Sequence, residues 1–329
     1  MAGQRALGIG GSTGAIPVLR TILQQIPADF AAPIFVVVHV GGRGQDLLHN
    51  SLAAACTLPV LLAQDNVLAL PGHVYVAPAD HHLLVVDGCI RLGRGPRENM
   101  SRPALDPLFR SMASSYGSGA IGVVLSGNLN DGAAGLSAIK LCGGLTVIQN
   151  PGEAVAPDMP LGALAASDID YRSPAANMGL LLARLVEEPP GPSVPTPPDI
   201  ELEIDIALGR PCLSPTIAQI ANPVTVSCPS CGGVMSEVHR GPLRFRCQVG
   251  HGYTAEALAA EQEGSLDEAL RVAFRIVGER VTLMERMAQE AGDAGRTHTR
   301  DDFLGKAAEF TRYVDILRSA ALNGVSGRA

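Results

Sequence analysis

Four short runs in the first half of the chain, residues 6–9, 34–38, 121–125 and 145–148, are compact, apolar and rich in branched side chains. Strands covered on both faces read this way, because neither face has to meet water. Segments of helical period lie between them, at residues 15–25, 45–55, 104–114 and 133–141. Apolar strands and helices taken in turn call for a mainly parallel sheet with helices on both sides. The fold class expected is α/β: a three-layer α/β/α, Rossmann-like arrangement. Residues 74–77 and 83–86, with the turn Asp87-Gly88 ahead of 89–92, read instead as an antiparallel insertion.

The alternation stops at a proline run. Six of the ten residues from Pro189 to Pro198 are proline, which favours an extended polyproline conformation and removes the donors that a helix or sheet needs. Residues 188–199 are therefore read as a semi-rigid linker between a domain at 1–187 and a second part, with a long loop inside one domain as the alternative. Beyond it, residues 200–208 alternate apolar and acidic side chains, the pattern of a half-buried strand. A cysteine-rich module completes residues 200–254. The segment 255–329 carries two narrow apolar seams at helical spacing, Leu266, Leu270, Ala273, Val277, Val281 and Met284, then Phe303, Ala307, Phe310, Val314, Leu317 and Ala321. Such amphipathic helices pack on their own domain or self-associate.

Composition excludes several classes. The formal net charge is −7, and residues 188–329 hold 14 basic against 19 acidic groups, so nucleic acid is not expected as a partner. No apolar stretch reaches the roughly 20 residues that span a bilayer, so no membrane insertion is expected. Seven cysteines, three of them at metal-like spacing, argue against a disulfide framework and for a cytoplasmic protein.

Gly10-Gly11-Ser12-Thr13-Gly14 follows a strand and opens a helix, in the pattern G-x-S-x-G. Its glycines permit a sharp turn that presents a serine Oγ at the sheet edge, and the helix N-terminus offers unpaired N–H groups to an oxyanion. Anion binding and a plain tight turn are the other readings of this motif. A base and an acid would stand at neighbouring strand ends. His39 ends the run 34–38, and Asp131 follows the run 121–125. The order Ser, His, Asp differs from that of α/β-hydrolases.

Ile9-Gly10-Gly11-Ser12-Thr13-Gly14, the strand ending in His39, and Pro71-Gly72-His73-Val74-Tyr75-Val76-Ala77-Pro78 resemble the chemotaxis protein-glutamate methylesterase (CheB) family. Ser101-Arg102-Pro103-Ala104-Leu105-Asp106 and Gly122-Val123-Val124-Leu125-Ser126-Gly127, followed by Asn130-Asp131-Gly132, extend the likeness over residues 5–185. The resemblance implies a serine hydrolase that removes methyl esters from glutamate side chains of chemoreceptors, with glutamine deamidation as a companion activity and no cofactor for catalysis. It places nucleophile, base and orienting acid on Ser12, His39 and Asp131. The oxyanion donors fall on the backbone N–H groups of Thr13 and Asn128, where the family more often has methionine at the position of Asn128. Arg102 is expected to steer acidic receptor helices. Relatives commonly carry a receiver domain before a linker; here the catalytic strand begins by residue 6, so the regulator is expected to be absent in cis.

Cys228-Pro229-Ser230-Cys231 is a C-x2-C knuckle, and Cys247 and His251 follow sixteen and twenty residues after Cys231. Three thiolates and an imidazole form a closed tetrahedral set, the usual structural zinc arrangement, so a small zinc-ribbon-like module is expected. His239 is a competing ligand and Cys212 is read as free. The partners expected are a methylated chemoreceptor or receptor-like protein, and a signalling protein bound through the C-terminal helices. A non-catalytic scaffold, and an esterase acting on a non-receptor protein, are the competing functions.

Overall fold

The structure is a computed structural model describing residues 4–40, 44–192, 194–211 and 213–323. Arg43 and Cys212 lie outside these residues. Two compact units are present, Met1–Leu258 and Ala259–Ala329.

The first unit opens with β1 (Ala6–Gly11), α1 (Ala15–Gln25), β2 (Ile34–Val38) and α2 (Gln45–Ala53). Short strands follow: β3 (Val60–Leu62), β4 (Val67–Leu68), β5 (Val74–Val76), β6 (His82–Val86) and β7 (Cys89–Gly93). Helix α3 (Leu105–Tyr116) leads to β8 (Ala120–Val124), α4 (Ala133–Leu141), β9 (Leu145–Gln149), α5 (Asp158–Ala166), β10 (Tyr171–Ser173) and α6 (Ala175–Glu187). Seven of these strands form one sheet in the order β10-β9-β8-β1-β2-β5-β3, and every pair is parallel. The expected antiparallel insertion is thus half right. β6 and β7 form an antiparallel hairpin across Asp87 and Gly88, both at positive φ. Residues 74–77, however, belong to the parallel sheet, because β5 pairs with β2 on one side and β3 on the other.

Two apolar layers sandwich the sheet. On one face, Leu19 and Ile22 of α1 and Met178 and Leu182 of α6 cover Leu7, Ile9, Val36 and Val123. On the other, Leu105, Phe109 and Met112 of α3 meet Phe35, Val37 and Val124. Gly10 allows that approach: a Cβ there would lie 2.2 Å from Leu105 Cδ1 and 2.8 Å from the Val37 carbonyl oxygen. Any side chain would push α3 off the sheet.

After α6 the proline-rich segment runs against the sheet's N-terminal end. Arg5 Nε and Nη2 donate to the carbonyls of Glu188 (3.1 Å) and Pro189 (3.4 Å), and Ser118 Oγ donates to that of Gly191 (2.6 Å). The strand expected at residues 200–208 is instead a helix, α7 (Pro198–Leu208). Pro198 sits in the first turn, where its missing N–H costs nothing, and Asp199 and Glu201 complement the helix N-terminus. Gly209, at φ 99°, ends it. Ile200, Ile204 and Ala207 pack into the same core as α3.

A short helix α8 (Ser214–Ile217) leads into β11 (Ala221–Ser227), β12 (Val234–Val238), β13 (Arg244–Cys247) and β14 (Gly252–Thr254), an antiparallel sheet in chain order. The helix α9 (Ala255–Asp293) starts in the first unit and continues into the second, where α10 (Thr297–Asn323) follows a turn at Gly295, φ 71°. In the second unit Ala288, Ala291 and Ala307 are buried, and Arg280 of α9 lies 4.9 Å from the ring centre of Phe310 on α10. No helix among the described residues is long and apolar enough to cross a membrane.

Candidate active site

The parallel sheet changes direction of winding between β1 and β8: the chain fills one side through β2, β5 and β3, then the other through β8, β9 and β10. Open α/β sheets bind ligands at the carboxyl ends of strands at such a point. In register, Gly11 of β1 stands opposite Val38 of β2, so Ser12 and His39, each one residue further, leave the sheet side by side. The His39 N–H donates to the Gly11 carbonyl at 3.2 Å, and the Ser12 N–H to that of Ser126, just past β8, at 2.9 Å. The loop from β8 then passes over the serine. A Cβ on Gly127 would come within 3.0 Å of Ser12 Cβ and 2.1 Å of Met159 Sδ, so the close crossing needs glycine here.

That loop brings in Asp131, whose Oδ2 lies 2.9 Å from His39 Nε2. Asp131 is buried and accepts three further hydrogen bonds, from Leu105 N (2.6 Å) to Oδ2, and from Asn99 Nδ2 (3.0 Å) and Asp106 N (3.3 Å) to Oδ1. Two of these donors are backbone N–H groups in the opening turn of α3, where the helix field favours an anion. Burial alone would raise its pKa; His39 and the surrounding donors outweigh that and hold it below the usual carboxylate range. An ionised Asp131 is an acceptor only, so Nε2 of His39 carries a proton, and the neutral imidazole then has its lone pair on Nδ1. Nearby Asp106 goes the other way. Burial, and then the charge of Asp131, push it up to about 7.

Thr13 and Asn128 face each other at the mouth, with Asn128 Nδ2 donating to Thr13 Oγ1 at 3.2 Å. Both are exposed. Neither backbone N–H donates to a backbone carbonyl among the described residues. Arg102 is engaged elsewhere. Its Nε and Nη2 bind Asp80 Oδ1 at 3.1 and 2.7 Å, and Nη1 binds the carbonyl of Gly95 at 2.8 Å. These contacts are those of a loop brace, and nothing in them favours a substrate contact.

Cys228, Cys231, Cys247 and His251 offer ligand atoms that all lie within 4.8 Å of one another. Cys231 Sγ is 3.7 Å from Cys247 Sγ, and His251 Nδ1 is 3.5 Å from Cys247 Sγ and 3.8 Å from Cys228 Sγ. A tetrahedral ion with Zn–S bonds of about 2.3 Å spaces its sulfurs by about 3.8 Å, whereas a disulfide needs about 2.05 Å. Two tight turns aim the ligands. Gly232 N donates to the Cys228 carbonyl at 2.8 Å, and Gly250 N to the Cys247 carbonyl at 2.9 Å. His239 is not in the group.

The groups between these two sites have no cue in the sequence pattern. Glu98 Oε2 accepts from Arg110 at 2.5 Å; Arg246 Nη2 reaches Glu98 Oε1 at 3.0 Å and Glu203 Oε1 at 2.8 Å; and Arg244 pairs with Glu203. Burial raises both carboxyls, yet the guanidinium charges prevail and hold Glu98 and Glu203 low. Asn99, Asn130, Asp106 and Thr254 were missed as well, and only Asp106 had a legible cue, an acid in the first turn of a helix.

The chain is similar to known proteins over this part of its length. The family profile described as CheB methylesterase matches residues 7–182. A Leptospira interrogans protein named for protein-glutamate methylesterase and protein-glutamine glutaminase is 38% identical over 181 residues, which is 55% of this chain and 94% of that one. The Yersinia pestis protein of that name is 36% identical over 174 residues, 52% of this chain and 50% of that one. The crystal structure of the Thermotoga maritima CheB methylesterase catalytic domain is 32% identical, with a TM-score of 0.53, and covers 55% of this chain and 98% of that domain.

Proposed function

This chain belongs to the CheB methylesterase family, and from that premise we propose that it is a serine hydrolase acting on the γ-methyl esters of glutamate side chains in a methylated chemoreceptor or receptor-like protein. The observation that carries this reading is the 2.9 Å contact of His39 with Asp131 at the winding switch, beside Ser12.

In the mechanism, His39 Nδ1 takes the Ser12 proton as Oγ attacks the ester carbonyl, and Asp131 holds the imidazole in that tautomer. The N–H groups of Thr13 and Asn128 receive the tetrahedral oxyanion; one such donor contributes about 3–4 kcal/mol. Methanol leaves with the proton that His39 carried. Water then attacks the acyl-enzyme, again through His39, and frees the glutamate carboxylate and Ser12. No cofactor takes part. Glutamine side chains follow the same path with ammonia as leaving group.

The Cys3His group would hold a structural zinc ion, since four protein ligands leave no open position. Thiolate ligands of this kind suit a reducing cytoplasm. A signalling partner would meet the second unit, where Leu283, Leu304 and Ile316 are exposed.

Ser12→Ala is expected to lower methanol release from methylated receptor by about 10⁶-fold, the scale of nucleophile loss in serine hydrolases. A variant that still released methanol at the wild-type rate would remove the assignment.

A further inference from the structure

The segment 97–101 lies between Asp131 and the cysteine module and is gripped from the module's side. Glu98 and Ser101 close a tight turn on each other (3.2 and 2.9 Å), with Asn99 and Met100 both at positive φ, 47° and 64°. β14 zips onto this turn: Asn99 N donates to the Gly252 carbonyl at 2.8 Å, Gly252 N to the Arg97 carbonyl at 3.2 Å, and Thr254 N to Asn99 Oδ1 at 2.9 Å. The last contact decides which way the Asn99 amide faces. With Oδ1 held by an N–H donor, its NH2 must point the other way, where it donates to Asp131 Oδ1 and Asp106 Oδ2, each at 3.0 Å. A flipped amide would set donor against donor at Thr254 and oxygen against two carboxyls.

The loop that carries Asp131 is held from the module too. Thr254 Oγ1 donates to Asn130 Oδ1, and Asn130 Nδ2 donates to Glu256 Oε2 at 2.6 Å. Leu129 and Met100 pack against Cys228, Met235, Cys247 and Tyr253, so the small core around the ligands includes one residue from each segment. Arg246, next to Cys247 in sequence, fixes Glu98.

We propose that Asn99 is a positioning residue for the candidate acid Asp131, and that the Cys3His module, when it holds its metal, sets Asn99 and the 129–131 loop in the arrangement that turnover needs. The inference rests on the methylesterase and metal readings above. Loss of the metal would free β14, release the Asn99 amide and deprive Asp131 Oδ1 of a donor, without touching Ser12 or His39.

The test uses the full chain, loaded with zinc or stripped by chelation, with zinc content, circular dichroism and steady-state hydrolysis of p-nitrophenyl acetate measured on each preparation, and methanol release from methylated receptor as the reference activity. Asn99→Ala is expected to lower kcat about tenfold or more with KM unchanged and zinc retained, since a hydrogen bond to a buried charged group is lost. Chelation of the wild type is expected to lower kcat at least as far, zinc to restore it, and chelation of Asn99→Ala to add less than chelation of the wild type costs. Should Asn99→Ala not fold, Asn99→Ser carries the test of the amide, and Thr254→Val tests the hold on the 129–131 loop through Asn130, with Thr254→Ser expected to recover kcat because it keeps the hydroxyl. Wild-type kcat in Asn99→Ala or in folded Thr254→Val, or equal losses on chelating wild type and Asn99→Ala, would overturn the inference. Zinc-loaded wild type with neither ester hydrolysis nor methanol release would instead overturn the methylesterase reading and this inference with it. Wild type that binds no zinc would overturn the metal reading and the metal's part here.

Discussion

Around β1 and β8 the buried side chains are Leu7, Ile9, Phe109, Ile121 and Val123, and order comes from many small dispersion contacts spread over two layers. Around β12, β13 and β14 the buried groups include Cys228, Cys247, Arg246, Ser236 and Thr254, with Glu203 and Glu98 reaching in from α7 and the 97–101 turn. The loop that carries Asp131 is thus supported on one side by an apolar sheet and on the other by a few strong polar interactions. The first kind of support degrades gradually as atoms are removed. The second fails at single groups, because each buried charge or thiolate depends on partners that nothing else can replace.

Four measurements put that contrast at risk. The largest effect is expected from Cys247→Ser, which removes a candidate ligand from a type of site whose metal, when bound, contributes about 10–16 kcal/mol to folding. Hydrogen exchange should then show the amides of residues 221–254 losing protection while those of β1 and β8 keep theirs; parallel loss in both regions would refute two independent supports. Next comes Glu203→Ala, which leaves Arg244 and Arg246 facing an empty carboxyl position. A cost of about 3–5 kcal/mol in denaturant unfolding is expected, with the transition of the apolar sheet itself little changed.

The third concerns acidity. Asp106 is raised to about 7 by burial and by Asp131, so its protonated form is the one the fold favours. Its stabilising contribution is complete below the unfolded value of about 3.9 and is lost as pH rises through about 7. Asp131, held low, contributes above the ordinary carboxylate range and loses its contribution as pH falls through its own folded value. Asp106→Asn should therefore flatten the fall in melting temperature between pH 5 and pH 8; an unchanged slope would assign that fall to other groups. The smallest effect is expected from Arg102→Ala. Its partner Asp80 is 59% exposed, so the pair should contribute at most about 1 kcal/mol to stability, and receptor demethylation should change little if the brace is its whole role.

The apolar sheet was legible in the sequence because its signal is local: β2 needs only Ile34–Val38 to declare itself, and α1 and α4 begin and end where their periods do. The candidate triad was legible for the same reason, since Ser12, His39 and Asp131 each follow an apolar run. The failures are non-local. In residues 200–208 an acid at every second position mimics a strand facing water, but Glu203 is fully buried, and the guanidiniums that make that tolerable, Arg244 and Arg246 with Arg110 nearby, are distant in sequence. Residues 74–77 gave no sign of joining the main sheet because a three-residue strand carries too little pattern to tell its neighbours. Asn99 was missed because its importance lies in what Thr254 does to its amide, a relation no spacing announces.

The proline-rich passage along the N-terminal end of the sheet has one more consequence. It leads straight into α7, which is laid into the same core as α3, so the cysteine-bearing sheet that follows is joined to its domain through an element already fixed there and meets it at a concentration set by the chain rather than by the sample. Contacts too weak to hold separate molecules together are then enough.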